Sequence, residues 1–209
     1  TNGSLQKVEI TTDGSVGTQI DVNAIRTTDA DAIDNTPTVM NTGVKLTAET
    51  INLGGDITSN TISGTGTQAG EVYVDGDVNL TGNVSVNTNL AGSTIDDGNV
   101  DFRGAIDSAA NLSLTIDAGS ADVNVERNIG ATDELAGFTV TNAGITDVRD
   151  IATRSGGVDI TSGTVNLYGG LNTTADDTQA GSIELDGSIN LLAVGDIELN
   201  TDVSGTDAL

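Results

Sequence analysis

Along most of the chain, apolar and polar residues alternate in short bursts, each opened by glycine and closed by a bend. The burst reads Gly-x-(Ile/Val)-x-(Leu/Val/Ile or Phe) and occurs at residues 70–74, 76–80, 82–86, 98–102, 163–167, 181–185, 187–191 and 195–199. Alternation at period two describes a strand that buries one face only. Gly, Asp or Asn residues after the bursts supply the turns. Successive apolar pairs stand about six to eight residues apart, too close for helices or for hairpins with ordinary loops. A chain that coils continuously, with a short strand on each side of a prism, meets that spacing. The expectation is an all-β fold, a parallel β-helix (β-solenoid) whose strands stack at roughly 4.8 Å.

The bursts recur in longer blocks. Gly157-Val-Asp-Ile-Thr-Ser-Gly-Thr-Val-Asn-Leu167 repeats Gly43-Val-Lys-Leu-Thr-Ala-Glu-Thr-Ile-Asn-Leu53; residues 178–191 repeat 67–80, and 195–201 repeat 82–88. The copies lie about 110–115 residues apart, which marks a repeat protein. Residues 1–209 are therefore expected to be one solenoid. Residues 43–156 form the first copy, 157–209 a partial second copy, and 15–42, the least regular stretch, a loop or insertion around Pro37. Taking Val78, Val100, Val123, Ile145 and Val165 as equivalent points predicts about 20–24 residues per turn and roughly nine turns. The inward rows are expected at Val44, Leu46, Ile51, Leu53, Val72, Val74, Val78 and Leu80. In the second copy they fall at Val158, Ile160, Val165, Leu167, Ile183, Leu185, Ile189 and Leu191.

Composition narrows the function. Aromatics make up 2% of the 209 residues, as Phe102, Phe138, Tyr73 and Tyr168, which suits a thin aliphatic lumen better than a compact enzyme core. The net charge of −24 repels phosphate backbones and anionic headgroups, so neither nucleic acid nor membrane insertion is expected. With no Cys and no His, the chain offers no thiol nucleophile, no imidazole base and no ordinary zinc set.

Gly98-Asn-Val-Asp-Phe-Arg-Gly-Ala-Ile-Asp-Ser-Ala-Ala-Asn-Leu-Ser-Leu-Thr-Ile-Asp-Ala-Gly119 resembles the repeat unit of the filamentous-haemagglutinin-like and autotransporter-like bacterial surface adhesins. The likeness continues through residues 120–125, 129–130 and 134–140, covers most of 43–209 and extends weakly to 1–14. It implies a right-handed parallel β-helix on an exported protein and carries over no catalytic residue. The acidic load and Arg127 depart from the family pattern. The expected role is structural and non-enzymatic: an extracellular, cell-surface shaft or filament segment for adhesion, surface coating or biofilm matrix. The alternative is a β-helical polysaccharide lyase or hydrolase, since that chemistry also occurs on this architecture.

Two candidate sites follow. Asp29, Asp31 and Asp34, and then Asp96 and Asp97, place hard oxygen ligands close together on turns, a donor set suited to Ca2+. No cofactor is otherwise required. Thr is abundant, but no Thr rank repeats every turn as an ice-binding face would need. The second site is an assembly edge, Val8 and Ile10 at one end with Ile197 and Leu199 at the other. Residues 5–14 parallel 135–144, so the chain opens in mid-repeat. Both ends are expected to meet further β-helix, in the same long chain or in copies stacked head to tail. A host or neighbouring-cell surface is the other expected partner.

Overall fold

In the computed structural model the described residues are 8–12, 17–27, 42–60, 69–90, 97–173 and 180–201. Among them every regular element is a strand, and every pairing is parallel, so the fold is the β-solenoid expected from the alternation. Three columns of stacked strands run along it. On the first face, Val8, Val44, Val72, Val100, Val123, Thr146, Val165 and Ile189 are successive partners. The second face carries Ile20, Ile51, Val78, Ile106, Ile129, Ile151, Leu171 and Leu199. The third carries Ile25, Ile57, Val86, Ile116, Val140, Ile160 and Leu185. Eight rungs at the usual strand separation span about 34 Å.

The register refines the coil length. First-face partners are 28 residues apart at Val44, Val72 and Val100, then 23 apart to Val123 and to Thr146. The spacing is 19 to Val165 and 24 to Ile189. Two of the equivalent points change. Val78 stacks on Ile106, one face away from Val100, and Thr146 replaces Ile145, which is 40% exposed. Thr146 is tolerated inside because its Oγ1 donates to Ser162 Oγ at 3.1 Å, and Ser162 donates onward to the Ala143 carbonyl at 3.2 Å. Within 15–42, Gln19–Val22 and Ile25–Arg26 are regular rungs stacked on Thr42–Leu53 and Ile57–Thr58 rather than loop. Residues 28–41, Pro37 among them, lie outside the described residues.

The core is a continuous aliphatic filling with Phe102 and Phe138 as its largest members. Full burial of each Val, Leu or Ile contributes roughly 1.5–3 kcal/mol, so a thin rod is stabilised rung by rung and not by one central cluster. Corners have their own rule. Thr27, Ser59, Thr88, Ser108 and Thr173 each follow an aliphatic residue by two positions, and each is buried where the strand bends away. Their hydroxyls bond to groups at the bend: Thr27 Oγ1 lies 2.9 Å from Ser59 Oγ, Ser108 Oγ accepts Leu112 N–H at 2.8 Å, and Thr173 Oγ1 donates to the Gly181 carbonyl at 2.7 Å.

The sequence copies do not stack on themselves. Val44 and Leu46 are on the first face, whereas their counterparts Val158 and Ile160 are on the third. Val78 and Leu80 are on the second, their counterparts Ile189 and Leu191 on the first. Val8 and Phe138 show the same displacement. Counting strands along the columns, the duplication advances fourteen faces, four coils and two thirds. Each face is an equivalent slot for the Gly-x-Ile-x-Leu burst, so the repeat is not held to whole coils.

Candidate functional site

The outward side chains of the first face form their own column, because strand register places one residue of each rung directly above the last. It runs Glu9, Lys45, Tyr73, Asp101, Asn124, Asp147, Asn166 and Asn190. Its upper half is an amide–acid ladder. Asn124 Nδ2 donates to Asp101 at 3.1 Å, Asn166 Nδ2 to Asp147 at 2.6 Å, and Asn190 Nδ2 to Asn166 Oδ1 at 2.8 Å. On the second face Asn52 donates to Asp21 at 2.6 Å and Asn79 to Asn52 at 3.2 Å. An amide between carboxylates separates like charges that would otherwise oppose each other across the ladder. That interleaving is one way the rod carries its net charge of −24.

The lower half gathers cations. Lys45 Nζ lies 5.8 Å from the Tyr73 ring centroid and the Arg103 guanidinium 5.0 Å, within cation–π range. Arg103 Nε also meets Asp101 at 3.2 Å, its Nη1 meets Glu126 at 3.7 Å, and Lys45 meets Glu9 at 3.7 Å. Burial raises the Asp101 carboxyl above its ordinary value despite this partner, because desolvation outweighs the attraction of Arg103. Glu71 is raised in the same way, by burial first and then by Asp101. An arginine beside two carboxylates and a tyrosine is the set a sugar-acid site would use. Here Arg103 is paired with both acids and lies over the ring, which ties the cluster together internally. Sequence reasoning missed this cluster, because Tyr73 and Arg103 stand 30 residues apart and meet only through a 28-residue coil.

On the second face, a groove of about 420 Å3 is lined in part by Asn128, Asp150, Asn172, Asp196 and Glu198. Asp150 Oδ1 accepts the Gly170 N–H at 2.8 Å and so serves a turn. Of the calcium candidates, Asp29, Asp31, Asp34 and Asp96 lie outside the described residues. Asp97 accepts the N–H of Leu90 and of Ser120, each at 2.6 Å, and the Ser120 hydroxyl at 2.8 Å, so both its oxygens fasten a turn. Among the described residues no group of three or more His, Cys, Asp or Glu is arranged to hold a metal.

The edge candidates divide between faces. Val8 and Ile10 share the first column with Ile189 and Leu191, while Leu199 shares the second with Ile20. Ile197 packs partly buried against the core just before the Leu199–Asn200 strand. Comparison with known proteins finds no matching family model, no matching curated protein and no matching solved structure.

Proposed function

We propose that this chain is a structural shaft, a β-helical segment of an extracellular bacterial surface protein serving adhesion, surface coating or biofilm matrix. The observation that carries the reading is the stack itself: inward columns eight rungs long on two faces, aliphatic at every rung but Thr146, clad on the outside by side chains that bond to one another along the axis. Such a body resists bending and presents a polar, acidic surface, which suits a spacer between a cell and what it meets. Further β-helix at the two ends, and a host or neighbouring-cell surface, are the partners this role calls for.

A polysaccharide-active enzyme is the second reading, favoured by Arg103 beside Asp101 and Glu126. One experiment separates them. The purified chain is incubated with a panel of uronate-containing and neutral polysaccharides, and new reducing ends and unsaturated products are measured. The shaft reading expects none; turnover that disappears in Arg103→Ala, with the fold intact by circular dichroism, would replace it with the enzymatic one.

A further inference from the structure

We propose that Arg149 and Tyr168 form a subsite for a sugar acid, a pyranose carrying one carboxylate at the end of a glycan, on the outer edge of the first face. The proposal rests on the shaft reading and names the chemistry of the surface that the shaft meets.

The first argument compares the chain's two arginine–tyrosine pairs. Both tyrosines lie on the first face, each with a guanidinium over its ring: Arg103 stands 5.0 Å from the Tyr73 centroid and Arg149 5.7 Å from that of Tyr168. At Tyr73 the arginine also has carboxylates, Asp101 at 3.2 Å and Glu126 at 3.7 Å. At Tyr168 it has none. Arg149 Nε donates to the Glu126 carbonyl, and among the described residues no carboxylate is within ion-pair distance of its guanidinium. The Tyr168 N–H bonds the Val148 carbonyl at 2.9 Å, which sets the two side chains one above the other, just outside the paired Val148 and Leu167. Both residues belong to interior rungs. Ile145–Val148 pairs with Val123–Val125 on one side and with Ile151–Leu167 on the other, and Ile151–Leu167 is covered in turn by Ile183–Leu191. Arg149 is exposed and Tyr168 is 39% exposed, both as outward positions.

The second argument is what the surroundings accept. A ligand carboxylate supplies to Arg149 what Asp101 supplies to Arg103, a charge-assisted bond that suits the guanidinium fork. The Tyr168 ring offers an apolar body to the C–H side of a pyranose and a hydroxyl at its rim. Two residues before Arg149, on the same outward side, Asp147 accepts Asn166 Nδ2 at 2.6 Å with one oxygen. Its other oxygen has no partner among the described residues and is an acceptor for a ligand hydroxyl. A sugar acid brings carboxylate, C–H face and hydroxyls together, whereas an acidic peptide side chain brings the first alone. The same setting limits the ligand to a single charge. A polyanion laid along the rod would meet the acids of a chain that carries −24 overall. A lone carboxylate at Arg149 meets mainly its immediate neighbours, since salt screens interactions beyond about 8 Å at physiological ionic strength. Among those neighbours Glu126 is paired with Arg103, and Arg127, next in the chain, adds a second exposed guanidinium.

The test is an NMR titration of the whole chain with sialyllactose and methyl glucuronide, and with lactose and methyl glucoside as their uncharged counterparts. The chain has two Tyr and no Trp, so the Tyr168 ring signals are read directly once Tyr73→Phe removes the other set. Both acids should shift those signals with millimolar affinity, and the uncharged sugars should bind roughly tenfold more weakly or worse. Arg149→Ala should abolish the shift, while Arg149→Lys, which keeps the charge but not the fork, should weaken binding severalfold. Glu126→Gln should tighten it by removing a nearby like charge, a gain that a merely structural role would not produce. Circular dichroism checks that the variants remain folded. Equal binding of charged and uncharged sugars, a short oligoglutamate that binds as well as the sugar acids, or unchanged affinity in Arg149→Ala would overturn the subsite. So would the absence of any shift at probe concentrations of about 20 mM. Each of those results, with straight rods in electron micrographs, leaves the shaft reading in place; globular particles would defeat that reading by themselves.

Discussion

Residues 71–80 and 182–191 spell the same strand, corner and strand, yet one copy is interior and the other terminal. Each keeps its glycine corner and the rung beneath it. Among the described residues what differs is the rung above. The contrast teaches that in a solenoid a residue's burial is set by its neighbours along the axis as much as by its own alternation. Ile183, Leu185, Ile189 and Leu191 are in the inward rows their sequence requires, and they remain partly or largely exposed.

The sharpest way to break that comparison is a carboxylate placed at matched positions. Val78→Asp should cost more than about 4 kcal/mol, because the charge is sealed among aliphatic side chains without a partner. That is a large part of a typical domain's stability. Ile189→Asp, with water at hand, should cost roughly 1 kcal/mol or less. Thermal melts of the two variants decide the point, and equal losses would mean that the terminal copy is covered after all. A milder pair follows. Leu80→Ala should cost about 2–5 kcal/mol and Leu191→Ala roughly 0.5 kcal/mol, read as urea midpoints at unchanged slope.

A third pair should show no contrast. Gly76 and Gly187 occupy the same corner with φ of 150° and 138°. A Cβ on either would come within 2.0 Å and 1.9 Å of the Ala48 and Ser162 carbonyl oxygens of the coil below. Both copies have that coil. Alanine at either glycine should therefore destabilise alike, by about 1–3 kcal/mol for the backbone strain and more where the carbonyl cannot shift. Unequal effects would show that the lower contacts of the copies differ.

The smallest expected effect concerns Glu71, whose counterpart is Ser182. Burial raises the Glu71 carboxyl, so the folded chain holds its proton to a higher pH than the unfolded chain does. Its contribution to stability thus falls as pH rises from the ordinary carboxylate value through the raised one, and returns on acidification. Asp101 acts in the same direction, burial again leading. The thermal midpoint should climb as pH drops toward the carboxylate range, and Glu71→Gln should flatten part of that climb. An unchanged slope in the variant would remove Glu71 from the account.

The period-two bursts made the strands, the parallel stacking and nearly all of the inward rows legible, since Val44, Leu53, Val72, Val158 and Leu167 are all sealed in the core. Two things were hidden. Coil length depends on corners, and the buried Thr27, Ser59 and Ser108 look in sequence like surface polar residues. Alternation also favours Ile145 over Thr146, yet the Ser162 hydroxyl makes Thr146 the inward residue. Once coil lengths vary from 19 to 28 residues along Val44 to Val165, sequence distance no longer gives face. For that reason the Tyr73–Arg103 cluster was out of reach.

Hydrogen–deuterium exchange tests the central claim most directly, that a rung's protection is set by the rungs stacked on either side of it. In dilute solution, amides of residues 71–80 should exchange only on global unfolding, while those of 8–11 and 183–191 exchange far sooner. Amides of residues 8–11 and 183–191 as slow as those of residues 71–80 would contradict it.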